Sequence, residues 1–297
     1  MNIAAASPGT SSAEFAFVSA LAREMSAGEI ELPGFPDIAI RVRRVLQDED
    51  VSTDKLIRVV GAEPLLSARL LQLANSAAIN RAGSRITDLR MAITRVGFNL
   101  VRSSSIALAM SQLASSKPLQ SIREPLHALW KHSAHVAAMA SVAAMASVVA
   151  RRLTTVNADA AALAGMVHGI GKLYIMVRAV EFPALFADPD SYQRVEQLWH
   201  ANIAKAILES WELPDDVVAA VHLHEDLDYA HKGEADLTDV LITASLLISY
   251  REHPQSIELN LQGVTATSRM HLDVEAYKRL LEESAAEIEA LRSALGN

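Results

Sequence analysis

The chain has 297 residues, 51% of them hydrophobic but only 5% aromatic, and no cysteine. That length supports one large domain or two ordinary ones with a real core. A core drawn mainly from Ala, Leu, Val and Ile favours close-packed helices, and disulfides and thiolate metal sites are excluded. The net charge of −8 is uneven: 14 basic against 12 acidic residues up to Pro125, then 13 against 23 from Leu126 onward, so the halves carry +2 and −10. An acidic second half argues against general nucleic-acid binding.

Met1 to Ser12 is small and polar, without the basic and then apolar order of a signal peptide. The most hydrophobic runs, such as Val136 to Ala150, are broken or fall short of the roughly 20 residues that span a membrane. A cytoplasmic protein is expected. Phe15, Val18, Leu21, Ala22 and Met25 recur at helical spacing, which predicts a leading helix over Ser12–Ala27 with Gly28 as its stop. Leu32-Pro33-Gly34-Phe35-Pro36 is a rigid turn. Ile38, Ile40, Val42, Val45 and Leu46 predict the next helix, ending in Asp48-Glu49-Asp50.

Short helices follow at Lys55–Val60 and Leu65–Asn75, the latter opened by Glu63-Pro64, where the missing N–H of proline costs nothing. Arg85–Val96 and Leu100–Leu113 form two more helices on either side of Gly97. Arg81, Arg85, Arg90, Arg95 and Arg102 lie in this stretch with only Asp88 to balance them, so either a basic face for an acidic partner or a solvated helix surface is expected. Beyond Lys117-Pro118 an Ala-rich helix runs from about Pro125 to Ala150. Ala158 to Val167 predicts a buried helix that stops at the glycines, with His168 near its last turn facing the interior.

The order and spacing of Leu32 to Pro36, Glu63-Pro64, Leu70 to Ala77, Ala92-Ile93 with Gly97, Leu129-Trp130-Lys131-His132-Ser133, Ala164 to Lys172, and Trp211-Glu212-Leu213-Pro214 leading to His222-Leu223-His224 resemble the HDOD family. These are the HD-related output domains of bacterial signalling proteins. The resemblance covers roughly Leu32 to His224, with Asp236 to Tyr250 as a weaker extension. It implies an all-α chain of two helical lobes, the second like an HD phosphohydrolase domain. The expected divisions are a leading helix over 1–31, an N-terminal lobe over 32–118, an HD-like lobe over 119–250, and a connector and terminal helix over 251–297.

The same resemblance places a first metal-site histidine at His132 and the His-Asp doublet at His168-Gly169. The last carboxylate falls at Ser245, or, with a shift of register, at Asp239 or Asp236. A dinuclear hydrolytic site needs a carboxylate to bridge its ions and offset their charge, and glycine supplies neither charge nor oxygen. The expectation is therefore a degenerate site with no metal and no cofactor, His132 and His168 surviving and His224 as a further neighbour.

Lys172 is either a phosphate contact or a surface lysine capping a helix end. His222, His224 and His231, set among Glu225, Asp226 and Asp228, read as an exposed polar segment. His135 and the three tryptophans read as structural. The terminal segment Val274–Leu295 reads as a helix that packs on the second lobe or faces another chain. The function expected from the resemblance is a non-catalytic regulatory module that binds a signalling partner or a small ligand. The rivals are a phosphohydrolase acting on nucleotides or cyclic dinucleotides and a nucleic-acid-associated regulator.

Overall fold

A computed structural model describes residues 12–27, 30, 32, 34–48, 52–76, 79–80, 83–151, 156–252 and 263–270, together with 282, 285, 286, 288 and 289. Among these residues every regular element is a helix. The first five are α1 (Ser12–Ala27), α2 (Asp37–Leu46), α3 (Thr53–Gly61), α4 (Pro64–Ala74) and α5 (Leu89–Ala114); a 3-10 turn, Lys117–Ile122, leads out of them. The rest are α6 (Arg123–Arg151), α7 (Ala158–Val167), α8 (Ile170–Ala179), α9 (Pro183–Phe186), α10 (Pro189–Ser210), α11 (Asp215–Leu223), α12 (Leu237–Glu252) and α13 (Thr265–Arg269).

Local chemistry sets the starts. The Ser52, Asp88, Asn157 and Asp188 side chains each accept a backbone N–H in the first turn of α3, α5, α7 and α10, meeting donors that the helix itself leaves unpaired. Because Asp88 is the cap, α5 begins at Leu89 rather than at Arg85. Gly97 interrupts α5 with φ 78° and ψ 164°, so the helix is two segments joined at a kink that a residue with a side chain would resist.

α2, α3 and α4 pack on α5, whereas α6, α7, α8, α10, α11 and α12 pack on one another. The two lobes share a core. The inner face of α5 also lies against α7 and α6, and one continuous apolar cluster runs from Phe17 of α1 to Ile288. α1 sits on α10 and α9, away from the lobe that follows it in sequence. Phe17 meets Phe182 edge-on at 5.3 Å, Arg194 Nη2 lies 3.1 Å from the buried Glu14 carboxylate, and Glu24 binds Arg178 and the Tyr174 hydroxyl.

The stretch Ala158–Ala179, α7 and α8 together, is the one described helical segment long and apolar enough to cross a membrane; 89% of its most apolar 18-residue window is buried inside the fold. The expected helix over Val274–Leu295 falls largely outside the described residues. Within it, the buried Ile288 joins the core.

Candidate functional site

Two glycines bring the site together by letting backbones touch. A Cβ on Gly165 would stand 2.5 Å from the Ala137 Cα, so its absence lets α7 lie directly on α6. A Cβ on Gly171 would stand 1.9 Å from the His200 carbonyl oxygen, which does the same for α8 on α10. Four histidines from four helices then line up: His132 of α6, His168 at the end of α7, His224 at the end of α11 and His200 of α10. Ring centroids are 5.5 Å apart for His132 and His168, 5.2 Å for His168 and His224, and 6.0 Å for His224 and His200.

Three of these rings are oriented by the backbone. Nδ1 lies 2.6 Å from the Gly165 carbonyl oxygen in His168, 2.7 Å from that of Val221 in His224, and 2.8 Å from that of Glu196 in His200. A carbonyl only accepts, so each Nδ1 carries the proton and donates, which leaves the Nε2 atoms of His168 and His224 as acceptors facing the cluster, while that of His200 turns to the Glu225 carboxylate. Burial, and next the neighbouring rings of His224 and His132, hold His168 well below the usual imidazole range. Burial pushes His224 down to about 4. Both rings are neutral at pH 7.

The charge in the site comes from Glu225 and Lys172. Glu225 Oε2 lies 3.2 Å from His200 Nε2, and its Oε1 lies 3.7 Å from His224 Nε2 and 2.8 Å from Lys172 Nζ. The His200 ring and then the Lys172 ammonium hold this carboxyl well below the usual carboxylate range. Lys172 therefore neither caps a helix end nor stands free on the surface: it lies in the first turn of α8 and is tied to Glu225.

The donor set fits one ion and does not fit two. His200, His224 and Glu225 offer two imidazole nitrogens and a carboxylate oxygen within 4.8 Å of one another, a set suited to a single divalent transition ion. A bridged pair lacks its carboxylates. Gly169 has an unstrained backbone, φ −81° and ψ 3°, so nothing there demands glycine. A Cβ at that position would come within 3.0 Å of the Ser133 hydroxyl and 3.1 Å of Leu129 Cδ1, so these two side chains border the room the carboxylate would need. Ser245 stands on α12, which packs against α6, α7 and α11; its hydroxyl and that of Ser133 are buried with no hydrogen-bond partner among the described residues.

The alternative register does not bring Asp236 or Asp239 to the histidine row. Asp239, fully buried, lies 2.7 Å from His231 Nε2 and 3.2 Å from Arg269 Nη1, and Asp236 accepts from the Tyr229 hydroxyl at 2.6 Å. These residues tie the start of α12 to α13. The polar segment from His222 to His231 thus divides. His222 is half-buried beside Asn202, whereas His224, 4% exposed, is an interior residue, because α11 ends against α7 and not in solvent.

The arginines do not form one face. Arg81 lies outside the described residues; Arg85 and Arg95 are exposed, Arg90 is paired with Asp54, and Arg102 turns inward with Nε and Nη1 buried. Sequence reasoning missed His200 and did not foresee that Glu225, exposed as expected, is tied to Lys172 and His200. The signal for His200 was its register with Ile203, Ala204 and Ile207, which puts a histidine on the buried stripe of α10.

An all-α domain whose second lobe gathers histidines in the HD manner, without the doublet's carboxylate, defines the class. The chain belongs to the HDOD domain family, whose family model matches residues 32–227. A crystal structure from Shewanella amazonensis, provisionally named a metal-dependent phosphohydrolase, superposes with a TM-score of 0.77 at 24% identity, over 96% of this chain and 100% of that one. One from Marinobacter aquaeolei, provisionally named a signal transduction protein, gives 0.58 at 21% identity, over 98% of this chain and 68% of that one. An uncharacterised protein of Treponema pallidum is 21% identical over an alignment of 234 residues that covers 74% of this chain and 42% of that relative's length.

Proposed function

We propose that this protein is a cytoplasmic regulatory domain that works by binding a signalling partner or ligand and has no hydrolytic activity of its own. The observation that carries this reading is position 169. A two-ion phosphohydrolase centre requires a carboxylate between its metals, and here glycine stands beside the Ser133 hydroxyl and the Leu129 side chain. Lys172 adds to it, because its ammonium already occupies the nearest carboxylate.

One specific observation favours the rival, a phosphohydrolase with a single ion: the convergence of His200, His224 and Glu225. If that ion were bound, it would act as a Lewis acid toward a phosphoryl oxygen, and the chain's own part would be to hold the two Nε2 atoms and the carboxylate around it. The test is hydrolysis of a panel of phosphodiesters, nucleotides and cyclic dinucleotides by protein supplied with Mn2+, Co2+ or Fe2+, beside a control carrying both His168→Ala and His224→Ala. The expected result is no turnover above the control. Turnover abolished in the control would make the protein an enzyme.

A further inference from the structure

A second group of ligating side chains lies away from the histidine row, where the loop after α11 returns to the start of α12. Asp236 and Asp239 cap that start reciprocally: the Asp236 carboxylate accepts from the Asp239 N–H at 3.0 Å, and the Asp239 carboxylate from the Asp236 N–H at 3.1 Å. Gly233 turns the loop at φ 112°, a conformation that suits glycine, and His231 before it lies against both acids. His231 Nε2 is 2.7 Å from Asp239 Oδ2 and 3.4 Å from Asp236 Oδ2. One ligating atom of each of the three residues lies within 4.8 Å of the other two.

The other atoms of these side chains are held from outside. His231 Nδ1 donates to the Lys232 carbonyl at 3.2 Å, the arrangement that orients a metal-bound imidazole and points Nε2 at the ion. Arg269 Nη1 lies 3.2 Å from Asp239 Oδ1, which leaves Oδ2 toward His231, and the Tyr229 hydroxyl donates to Asp236 at 2.6 Å. Asp239 is buried, whereas His231 and Asp236 are half-buried, so the group has a solvent side. Two carboxylates face one guanidinium, and one negative charge is left over. A proton meets it in the metal-free chain: Nδ1 faces a carbonyl and Nε2 a carboxylate, both of them acceptors, so the ring carries two protons. The hydrogen bond to Asp239 accordingly holds His231 above the usual imidazole range.

We propose that His231, Asp236 and Asp239 bind one divalent transition ion, of which Zn2+ is the best match, in place of that proton. The Nε2–H bond breaks, its electron pair passes to the ion, and the proton leaves to solvent. A tetrahedral ion with bonds of about 2.0–2.1 Å keeps its ligands about 3.3 Å apart. The 3.4 Å between His231 and Asp236 already fits, and the 2.7 Å between His231 and Asp239 is a hydrogen-bond distance that opens once the proton has gone. An imidazole among carboxylates suits a transition ion better than Ca2+ or Mg2+, and water takes the fourth position. The ion fastens the loop to α12 beside Arg269 of α13. Glu225, the carboxylate of the histidine site, stands at the other end of the same loop, so occupancy steadies that site from outside whether or not the site hydrolyses anything.

The experiment is calorimetric titration of the metal-stripped full chain with Zn2+, together with thermal unfolding with and without the ion. His200→Ala removes a ligand of the histidine row and leaves this group intact. The expected result is one Zn2+ equivalent that survives His200→Ala, is lost in His231→Gln, and is bound about tenfold or more weakly by Asp236→Asn. Asparagine keeps the helix cap while removing the charge, which covers the case in which His231→Gln fails to fold. Zn2+ should raise the melting temperature of the wild type and of His200→Ala but not of His231→Gln. About one proton should be released per ion at pH 6, read from titrations in buffers of different ionisation enthalpy. Overturning results are no saturable Zn2+ binding, unchanged stoichiometry and affinity in both His231→Gln and Asp236→Asn, loss of all binding in His200→Ala, which would leave the histidine row as the only site, or binding without proton release, which would remove His231 from the ligands.

Discussion

Position 169 turns on a side chain rather than on the backbone. Its dihedrals suit any residue, and the atoms a Cβ would approach, the Ser133 hydroxyl and the tip of Leu129, belong to side chains that can rotate. Gly169→Asp is therefore expected to fold, with a stability loss of about 1 kcal/mol measured by urea unfolding. It should also raise Co2+ affinity by about tenfold or more, read from the visible bands of the bound ion, because the new carboxylate joins neutral imidazoles. Unchanged affinity would mean that residue 169 does not face the histidine row. Lys172→Met should shift affinity in the same direction by a different route. Releasing Glu225 from its ammonium leaves a full negative charge for the ion, and a fall in affinity would show that Lys172 instead holds Glu225 in place.

At the scale of elements, α7 and α8 are positioned by what their glycines lack. Gly171→Ala would drive a methyl into the backbone of α10 at 1.9 Å, where no rotamer change makes room, and a loss of about 3 kcal/mol or more is expected. Gly263→Ala, with nothing within 4 Å of its Cβ, should stay within about 0.5 kcal/mol of the wild type in the same denaturation series. A destabilisation equal to that of Gly171→Ala would refute the steric account. The helices α1 to α4, α6 and α7 were legible because apolar spacing, Gly28, Pro64 and the glycines after Val167 mark their faces and ends. α10 was not, since its buried stripe carries His200 and Ser191, which read as polar interruptions until the partner helices are in view. The burial of His224 was hidden for a related reason: Glu225, Asp226 and Asp228 follow it, and a charged neighbourhood in sequence says nothing of a ring that turns the other way.

For the whole molecule, the buried histidines make stability depend on pH. In the unfolded chain His168 and His224 titrate near the ordinary value of 6.5; in the folded protein both are held lower, His224 at about 4. Between those values the unfolded state binds protons that the folded state refuses, so stability rises with pH through this window and is lost on acidification from about pH 6.5 toward 4. His224 alone accounts for about 3 kcal/mol of that change. Glu225, whose carboxyl is depressed, adds a loss of the same sign below the ordinary carboxylate range. Urea midpoints measured with a chelator present should fall across this window, and His224→Gln should flatten the slope; an equally steep slope in the variant would remove His224 from the account. The uneven charge of the halves was readable from composition, but the stacking of Phe35 on Trp211 between the lobes was not, because the two rings lie far apart in the chain and only tertiary packing brings them together.

The seat of α1 on the far lobe also sets a timetable. Glu14 and Arg194 are 180 residues apart, so α1 leaves the ribosome 180 residues before its partner exists. At about 5–20 residues per second that interval is roughly 10–40 seconds, during which Phe17 and Leu21, both buried in the finished protein, lack the α9 and α10 surfaces on which α1 packs. Through that interval the nascent chain carries an apolar helix without its final partners, a natural hold for a chaperone at the exit tunnel.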